Sequence, residues 1–194
     1  MMRKLVFATN NDHKLRELRQ ILPSEFELLS LNDIGCFEEI PETGPTLEVN
    51  ASQKSFYIWN KYGINCFADD TGLEIEALFN EPGVFSARYA GEDKSADANM
   101  TKVLEKLGNQ TNRKARFRCV ISLVIEGVEN QFEGIVDGKI LTEKQGQDGF
   151  GYDPIFIPDG YLHSFAQMSS NEKNQISHRG RAVELLVDYL RNLK

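Results

Sequence analysis

The chain is poor in cysteine, tryptophan and histidine, and it has no long apolar run. Its 194 residues include three Cys, one Trp and three His. Cys36, Cys66 and Cys119 are odd in number and nowhere spaced C-x-x-C, which argues against a disulfide framework and suits free thiols in a reducing compartment. His13, His163 and His178 are too scattered to suggest a zinc site by spacing. No stretch approaches the ~18 apolar residues of a spanning helix, so no membrane partner is expected. Behind Arg3 and Lys4 only residues 5–8 are apolar before Thr9. A signal peptide needs about 7–15, so the expected location is cytoplasmic. Positive charge is also in deficit. Lys and Arg total 22 against 29 Asp and Glu, a net −7. That balance disfavours polymeric nucleic acid and anionic membranes. It leaves room for a small anionic ligand held by a few local cations and a metal.

What is present is a globular composition, 41% hydrophobic and 26% charged. There is no internal repeat, low-complexity tract or Pro/Gly/Ser linker, so residues 1–194 read as a single domain. Residues 4–8 suit a short buried strand, and a polar loop leads into a helix over 14–22 ended by Pro23. Residues 27–31 suit a second strand. An acidic, Pro- and Gly-containing loop over 38–45 precedes a helix over 47–61. A strand over 65–68 ends in Asp69-Asp70-Thr71-Gly72, and 73–75 returns to strand. A helix over 96–107 stops at Gly108. The clearest strand is 114–126, with Ala115, Phe117, Cys119, Ile121, Leu123 and Ile125 on one face. Residues 131–141 pair with it, a Gly-rich loop covers 146–153, and a short strand follows over 154–157. The final helix carries a stripe of Ala182, Leu185, Leu186, Tyr189, Leu190 and Leu193. The pattern predicts an α/β fold, a mixed β-sheet with flanking helices.

Several enzyme signatures are missing: a P-loop, a dinucleotide fingerprint, H-E-x-x-H and G-x-S-x-G. Four segments remain as carriers of chemistry. The loop Thr9-Asn10-Asn11-Asp12-His13-Lys14 joins a strand to a helix start, where backbone N–H groups and the dipole favour an anion and Lys14 adds charge. The alternative is an ordinary turn with Asn or Asp as N-cap. Asp69-Asp70 closes a strand, so the two side chains point to opposite sides. Asp70, with a Glu from the 38–42 loop, suits a hard cation, and a carboxylate beside water can act as general base. The alternative is a solvated Asp turn. Phe150-Gly151-Tyr152-Asp153 sets aromatics beside a Gly, so a base can stack on Phe150 while Asp153 accepts N–H donors. The alternative is a turn that plugs the core. Lys173 with Ser177-His178-Arg179 gathers donors for a carbonyl or phosphate oxygen. Arg116 and Arg118 read as a solvated strand face. Trp59 and Tyr57 read as core or subunit contacts, and Lys54 as an ordinary exposed helix lysine unless its helix faces a cleft.

Taken together and in order, these segments resemble the inosine triphosphate pyrophosphatase family. The matching stretches are Phe7 to Lys14, Glu42-Thr43-Gly44, Asn50-Ala51 with Lys54, and Ala68 to Leu73. They continue through Pro82-Gly83, Ser86 to Glu92, Ala115-Arg116-Phe117, Gly149 to Pro154, Glu172-Lys173 and Ser177 to Arg179. The ordered set spans the chain. The resemblance implies two lobes around a central cleft, usually in a homodimer. It implies Mg2+-dependent cleavage of purine nucleoside triphosphates (dITP, ITP, XTP) between the α- and β-phosphates, giving a monophosphate and pyrophosphate.

Family roles then fall on matching positions. Thr9, Asn10, Asn11, Asp12, His13, Lys14 and Lys54 bind substrate, Glu42 and Asp70 sit near the metal, and Asp70 activates water. Thr71 stands where the family often has Ser and contacts substrate. Phe150, Gly151, Tyr152, Asp153, Lys173, His178 and Arg179 form the nucleoside pocket. One position departs. The family often has Glu directly before Asn-Ala, whereas this chain has Val49, with Glu48 one place earlier. On a helix that shift turns a side chain by about 100°. Two other functions compete with this one: a pyrophosphatase for modified pyrimidine triphosphates, and a nucleotide-binding module without turnover.

Overall fold

The computed structural model describes residues 3–11, 14–15, 18–19 and 22–193. Its strands are β1 (Arg3–Phe7), β2 (Phe26–Leu29), β3 (Cys66–Ile75), β4 (Glu81–Gly83), β5 (Lys114–Ile125), β6 (Val128–Ile140) and β7 (Phe156–Pro158). Its labelled helices are α1 (Leu47–Tyr62), α2 (Ala96–Leu107), α3 (Ser170–Ile176) and α4 (His178–Asn192). Lys14, Leu15, Leu18 and Arg19 are also helical. The strand order is β2-β1-β3-β5-β6-β7, with β4 on β3. β1 runs parallel to β2 and β3, whereas β3–β4 and β6–β7 are antiparallel, so the sheet is mixed. No described helix is long and apolar enough to cross a membrane.

The chain divides into two compact units. The first comprises Met1–Asp70, Val120–Glu133 and Ala182–Lys194, and the second Thr71–Cys119 and Gly134–Arg181. The first unit's core includes Val6, Ala8, Leu31, Ile58, Cys66, Ala68 and Val124, with Trp59 packed at its margin. Phe7 and Phe67 stack at 4.4 Å within the same unit. In the second unit Phe117, Phe156 and Phe165 pack with Val103, Leu107 and Ile155.

α1 has strong end signals. Thr46 caps its start by accepting from the Val49 N–H at 3.3 Å, and Gly63, at φ 63°, closes its end through a bond to the Trp59 carbonyl. Along its inner side, the Ser55 and Ser122 hydroxyls are 2.6 Å apart, and Ser122 donates to Glu129 at 2.7 Å. Ser52 also donates to Glu129. These bonds satisfy the polar groups where α1 meets β5 and β6.

Five readings of the sequence change. Asp69-Asp70-Thr71-Gly72 is not a strand end or a turn, because β3 runs unbroken from 66 to 75. β3 lies between β1 and β5 in the hydrogen-bonding order, and a turn there would leave ladder groups unpaired. Beyond the acidic pair, Leu73 N–H donates to Ser86 Oγ at 2.9 Å and β4 pairs with 73–75. β5 is buried on both faces from Cys119 to Val124, where alternation predicted one face. The short strand expected over 154–157 is a 3-10 turn (Asp153–Ile155) followed by β7. On α4 the inward residues are Ala182, Val183, Leu186, Val187 and Leu190, whereas Leu185 is 48% exposed. Arg116 and Arg118 are not simply solvated, since both bond Glu74, at 2.7 and 3.0 Å.

The rotation of α4 can be tested by paired truncation. Leu186→Ala should lower the urea unfolding free energy by about 2–5 kcal/mol, and Leu185→Ala by about 0.5 kcal/mol or less. Equal losses would return Leu185 to the buried stripe.

Candidate active site

β3 and α1 assemble the polar centre of the first unit. Successive residues of a strand project to opposite sides, and Asp69 and Asp70 accordingly have different partners. Asp69, only 5% exposed, receives the Lys14 ammonium on both oxygens, at 2.8 and 2.7 Å. Asp70 meets α1 instead. Asn50 and Lys54 are four residues apart and so share a helix face. Lys54 Nζ lies 3.2 Å from Asp70 Oδ1, and Asn50 Nδ2 donates to Asp70 Oδ2 at 3.2 Å. The same ammonium donates to Glu42 Oε1 at 2.6 Å.

Glu42 is held near by its loop. Asn50 Oδ1 accepts the Gly44 N–H at 2.7 Å, which ties the loop to the first turn of α1. Gly44 is required there, because a Cβ would lie 2.6 Å from Val49 Cγ1 and 2.8 Å from Asn50 Oδ1. Val49 therefore packs against this loop and lines a shallow hollow with Thr43, Pro45 and Phe56. Glu48 turns its carbonyl toward Gln131. The carboxylates acting on Lys54 are Asp70, Asp69 and Glu42.

Lys54 is thus no ordinary helix lysine. It is buried, and burial alone would lower its pKa, but the three carboxylates outweigh burial and raise it. Asp70 is raised above the usual carboxylate range, chiefly by burial and also by the Glu42 charge, with Lys54 and Asn50 opposing. Among the described residues, no group of three or more His, Cys, Asp or Glu could hold a metal. Glu42 and Asp70 nevertheless present two oxygens to one cation, the arrangement a hard divalent ion needs from a protein when water and phosphate complete its shell.

At the β1–helix loop, Thr9 Oγ1 accepts the Asn11 N–H at 3.2 Å and Asn11 Oδ1 accepts the Lys14 N–H at 3.3 Å. Asn11 is therefore the N-cap, and Asn10 is exposed. Asp12 and His13 lie outside the described residues.

The second unit gathers the other set. Asp153, 3% exposed, accepts the Phe150 N–H at 2.7 Å and the Lys173 ammonium at 2.5 Å on one oxygen. Gly149, at φ 79°, must lack a Cβ because one would lie 2.2 Å from that oxygen. Phe150 is half exposed, with Lys173 Nζ 4.4 Å and Arg179 Cζ 5.3 Å from its ring centre. Buried His178 stacks on Phe117 at 4.7 Å. Tyr152 is a core residue whose hydroxyl donates to the Ser86 carbonyl at 2.7 Å. Gly151 takes a left-handed φ of 62° between them. Thr71 Oγ1 is buried without a hydrogen-bond partner.

Two residues of this architecture were not singled out as site residues from the sequence. Asn50 bridges Asp70 to the Gly44 loop, and Asp69 fixes Lys14. A signal for Asn50 existed in its i,i+4 spacing to Lys54.

The chain presents a mixed α/β fold with a buried lysine between two carboxylates, and its relatives show the class of protein to which it belongs. The Ham1 family model matches residues 5–189. A dITP/XTP pyrophosphatase of Christiangramia forsetii is 54% identical over 187 residues, covering 96% of this chain and 98% of that protein. One of Flavobacterium psychrophilum is 53% identical, covering 97% and 100%. The solved structure of the Staphylococcus aureus Ham1 protein superposes with a TM-score of 0.94 at 42% identity, covering 99% and 100% of the two chains. The chain belongs to the Ham1 family.

The buried pair sets a pH dependence. Asp70 has a higher pKa folded than unfolded, so the native state holds its proton longer and stability falls as pH rises from about 4 through the raised value. Removing the opposing Lys54 charge in Lys54→Met should extend that window upward. Urea unfolding between pH 4 and 8 should therefore show the deficit of Lys54→Met relative to wild type growing with pH. A deficit that stays constant would remove Lys54 as Asp70's counter-charge.

Proposed function

We infer that this Ham1-family chain hydrolyses non-standard purine nucleoside triphosphates (dITP, ITP and XTP) to the monophosphate and pyrophosphate. The observation that carries the chemistry is the buried Lys54 ammonium between Glu42 and Asp70. It is supported by relatives named dITP/XTP pyrophosphatase over nearly the whole chain. We take residues 1–194 as one pyrophosphatase domain acting as a cytoplasmic homodimer, with no polymeric nucleic acid or membrane as partner.

Thr9, Asn10, Asn11, Asp12, His13, Lys14 and Lys54 take the phosphates. Asp69 holds the Lys14 ammonium at a fixed point, so the charge is in place before substrate arrives. Glu42 and Asp70 would hold Mg2+, for which their paired oxygens are suited. When bound, that ion neutralises phosphate charge and polarises the phosphoryl oxygen. Asp70 accepts the proton of the water that attacks the α–β anhydride, and pyrophosphate leaves. Asn50 fixes the orientation of Asp70 by donating to Oδ2. Thr71 Oγ1 is free to bond substrate.

The base is read by Phe150, Gly151, Tyr152, Asp153, Lys173, His178 and Arg179. Phe150 offers an open ring, and Lys173 and Arg179 bring donors to it. Asp153 acts by holding Lys173 and the Phe150 backbone, and Tyr152 by anchoring the loop in the core. Hypoxanthine and xanthine present a 6-oxo acceptor to such donors. Adenine presents an amino donor and leaves them unpaired, a strong form of discrimination.

The test is pyrophosphate release with Mg2+ from dITP, XTP, dATP, dGTP and dTTP at equal concentrations. Preferred release from dITP and XTP, with monophosphate as co-product, is expected. Release from pyrimidine triphosphates alone would move the protein to a different substrate class. Asp70→Asn should lose about 10²-fold or more in turnover while still binding nucleotide. Unchanged turnover would remove Asp70 as the base, and binding without turnover in wild type would make the chain a nucleotide-binding module.

A further inference from the structure

We propose that Lys54 is a built-in occupant of the divalent-cation position: its ammonium holds the Glu42–Asp70 pair in the free enzyme and releases it only when a triphosphate offers replacement oxygens. This rests on the reading of Glu42 and Asp70 as the metal-holding carboxylates.

The argument starts from which oxygens are engaged. Lys54 Nζ reaches Glu42 Oε1 at 2.6 Å and Asp70 Oδ1 at 3.2 Å, with its side chain only 8% exposed. A divalent ion shared by these two carboxylates needs the same oxygens. An ammonium and a dication cannot both sit within bonding distance of them without strong mutual repulsion. Asn50 donates to Asp70 Oδ2, which leaves Oδ1 as the oxygen facing the Lys54 ammonium, and Oδ2 keeps a lone pair for the water proton. Metal entry therefore requires the Lys54 head group to leave.

Its destination must be anionic, because moving a buried ammonium without a new partner is costly. Among the described residues of the first unit the other carboxylate acting on it, Asp69, already binds Lys14 through both oxygens. A phosphate oxygen supplies what Lys54 gives up, and the four-carbon lysine stem allows the head group to swing while its Cα stays fixed on α1. Among the described residues two carboxylates meet here rather than a full cage, and no group of three or more ligating side chains is present. Phosphate is thus needed twice, to complete the metal's shell and to draw off Lys54. The result is positive coupling between metal and triphosphate, reciprocal by linkage. The free enzyme would then hold little metal, and water attack would be set up only on a substrate-loaded site.

The test is Mn2+ binding to the full chain by titration calorimetry without nucleotide. It compares wild type, Lys54→Met and Glu42→Gln, with circular dichroism melting to confirm folding. Lys54→Gln, also neutral and of similar length, replaces the methionine variant if that one fails to fold. Lys54→Met should bind Mn2+ about tenfold tighter than wild type, within the usual range of coupling between sites, although it loses turnover. Equal or weaker Mn2+ binding by the folded Lys54 variant would overturn the proposal. The metal reading would survive that result if Glu42→Gln still weakens Mn2+ binding in the presence of a non-hydrolysable α,β-methylene triphosphate. No Mn2+ binding by any of the proteins, with or without that analogue, would overturn the metal reading and the proposal together.

Discussion

A single ammonium, that of Lys54, organises the polar centre of the first unit. Glu42 and Asp70 come from a loop and a strand that are far apart in sequence, and each carries a negative charge into partly dehydrated surroundings. Without a cation between them the two carboxylates would repel, and burial would push a proton back onto Asp70. Burial by itself would lower the Lys54 pKa, and the Asp70, Asp69 and Glu42 charges more than reverse that. Neither side of the arrangement is stable alone. Asn50, one helical turn earlier, supplies the rigid part by bonding both Asp70 and the Gly44 N–H.

The strand geometry of β3 distributes the acidic pair so that each carboxylate receives its own lysine. Asp69 takes Lys14 on one side and Asp70 takes Lys54 on the other. A turn at these positions would have let both carboxylates relax toward solvent or their own backbone. A paired strand in the middle of the sheet order denies them that, and the two lysines follow. For the function proposed, the division matters because one lysine is fixed in advance while the other is shared with the metal-holding carboxylates.

The second unit uses the opposite balance, a buried acid that organises exposed cations. Asp153 ties down the Phe150 N–H and the Lys173 ammonium, and this stations Lys173 over the Phe150 ring beside Arg179. Phe150 stays open while its neighbour Tyr152 is sunk in the core, so two aromatics in one short loop divide between recognition and anchoring. Gly149 makes the turn possible by leaving room for the Asp153 carboxylate.

Much of this protein was legible in the residues themselves. Capping and periodicity place α1 and α2 almost to the residue, because Thr46, Gly63, Ser95 and Gly108 act locally on their own backbone. Motif order along the chain identified the family, since each segment's chemistry is carried by residue type. Local propensity failed where tertiary pairing prevailed. Asp-Asp-Thr-Gly favours a turn in isolation, but the sheet's hydrogen bonds keep it in β3. Leu185 is as apolar as Leu186, yet only the packing of α4 decides which of them is buried. By itself Lys54 read as an ordinary helix lysine, and only the family resemblance put it on the phosphates, because no spacing rule reveals that a loop 12 residues earlier and a strand 16 residues later converge on its ammonium. Sequence alone determined which chemical groups the chain owns and which helices they ride on. Only the tertiary structure decided which charges meet, because electrostatic pairing depends on distance and burial, and neither is a property of a residue by itself.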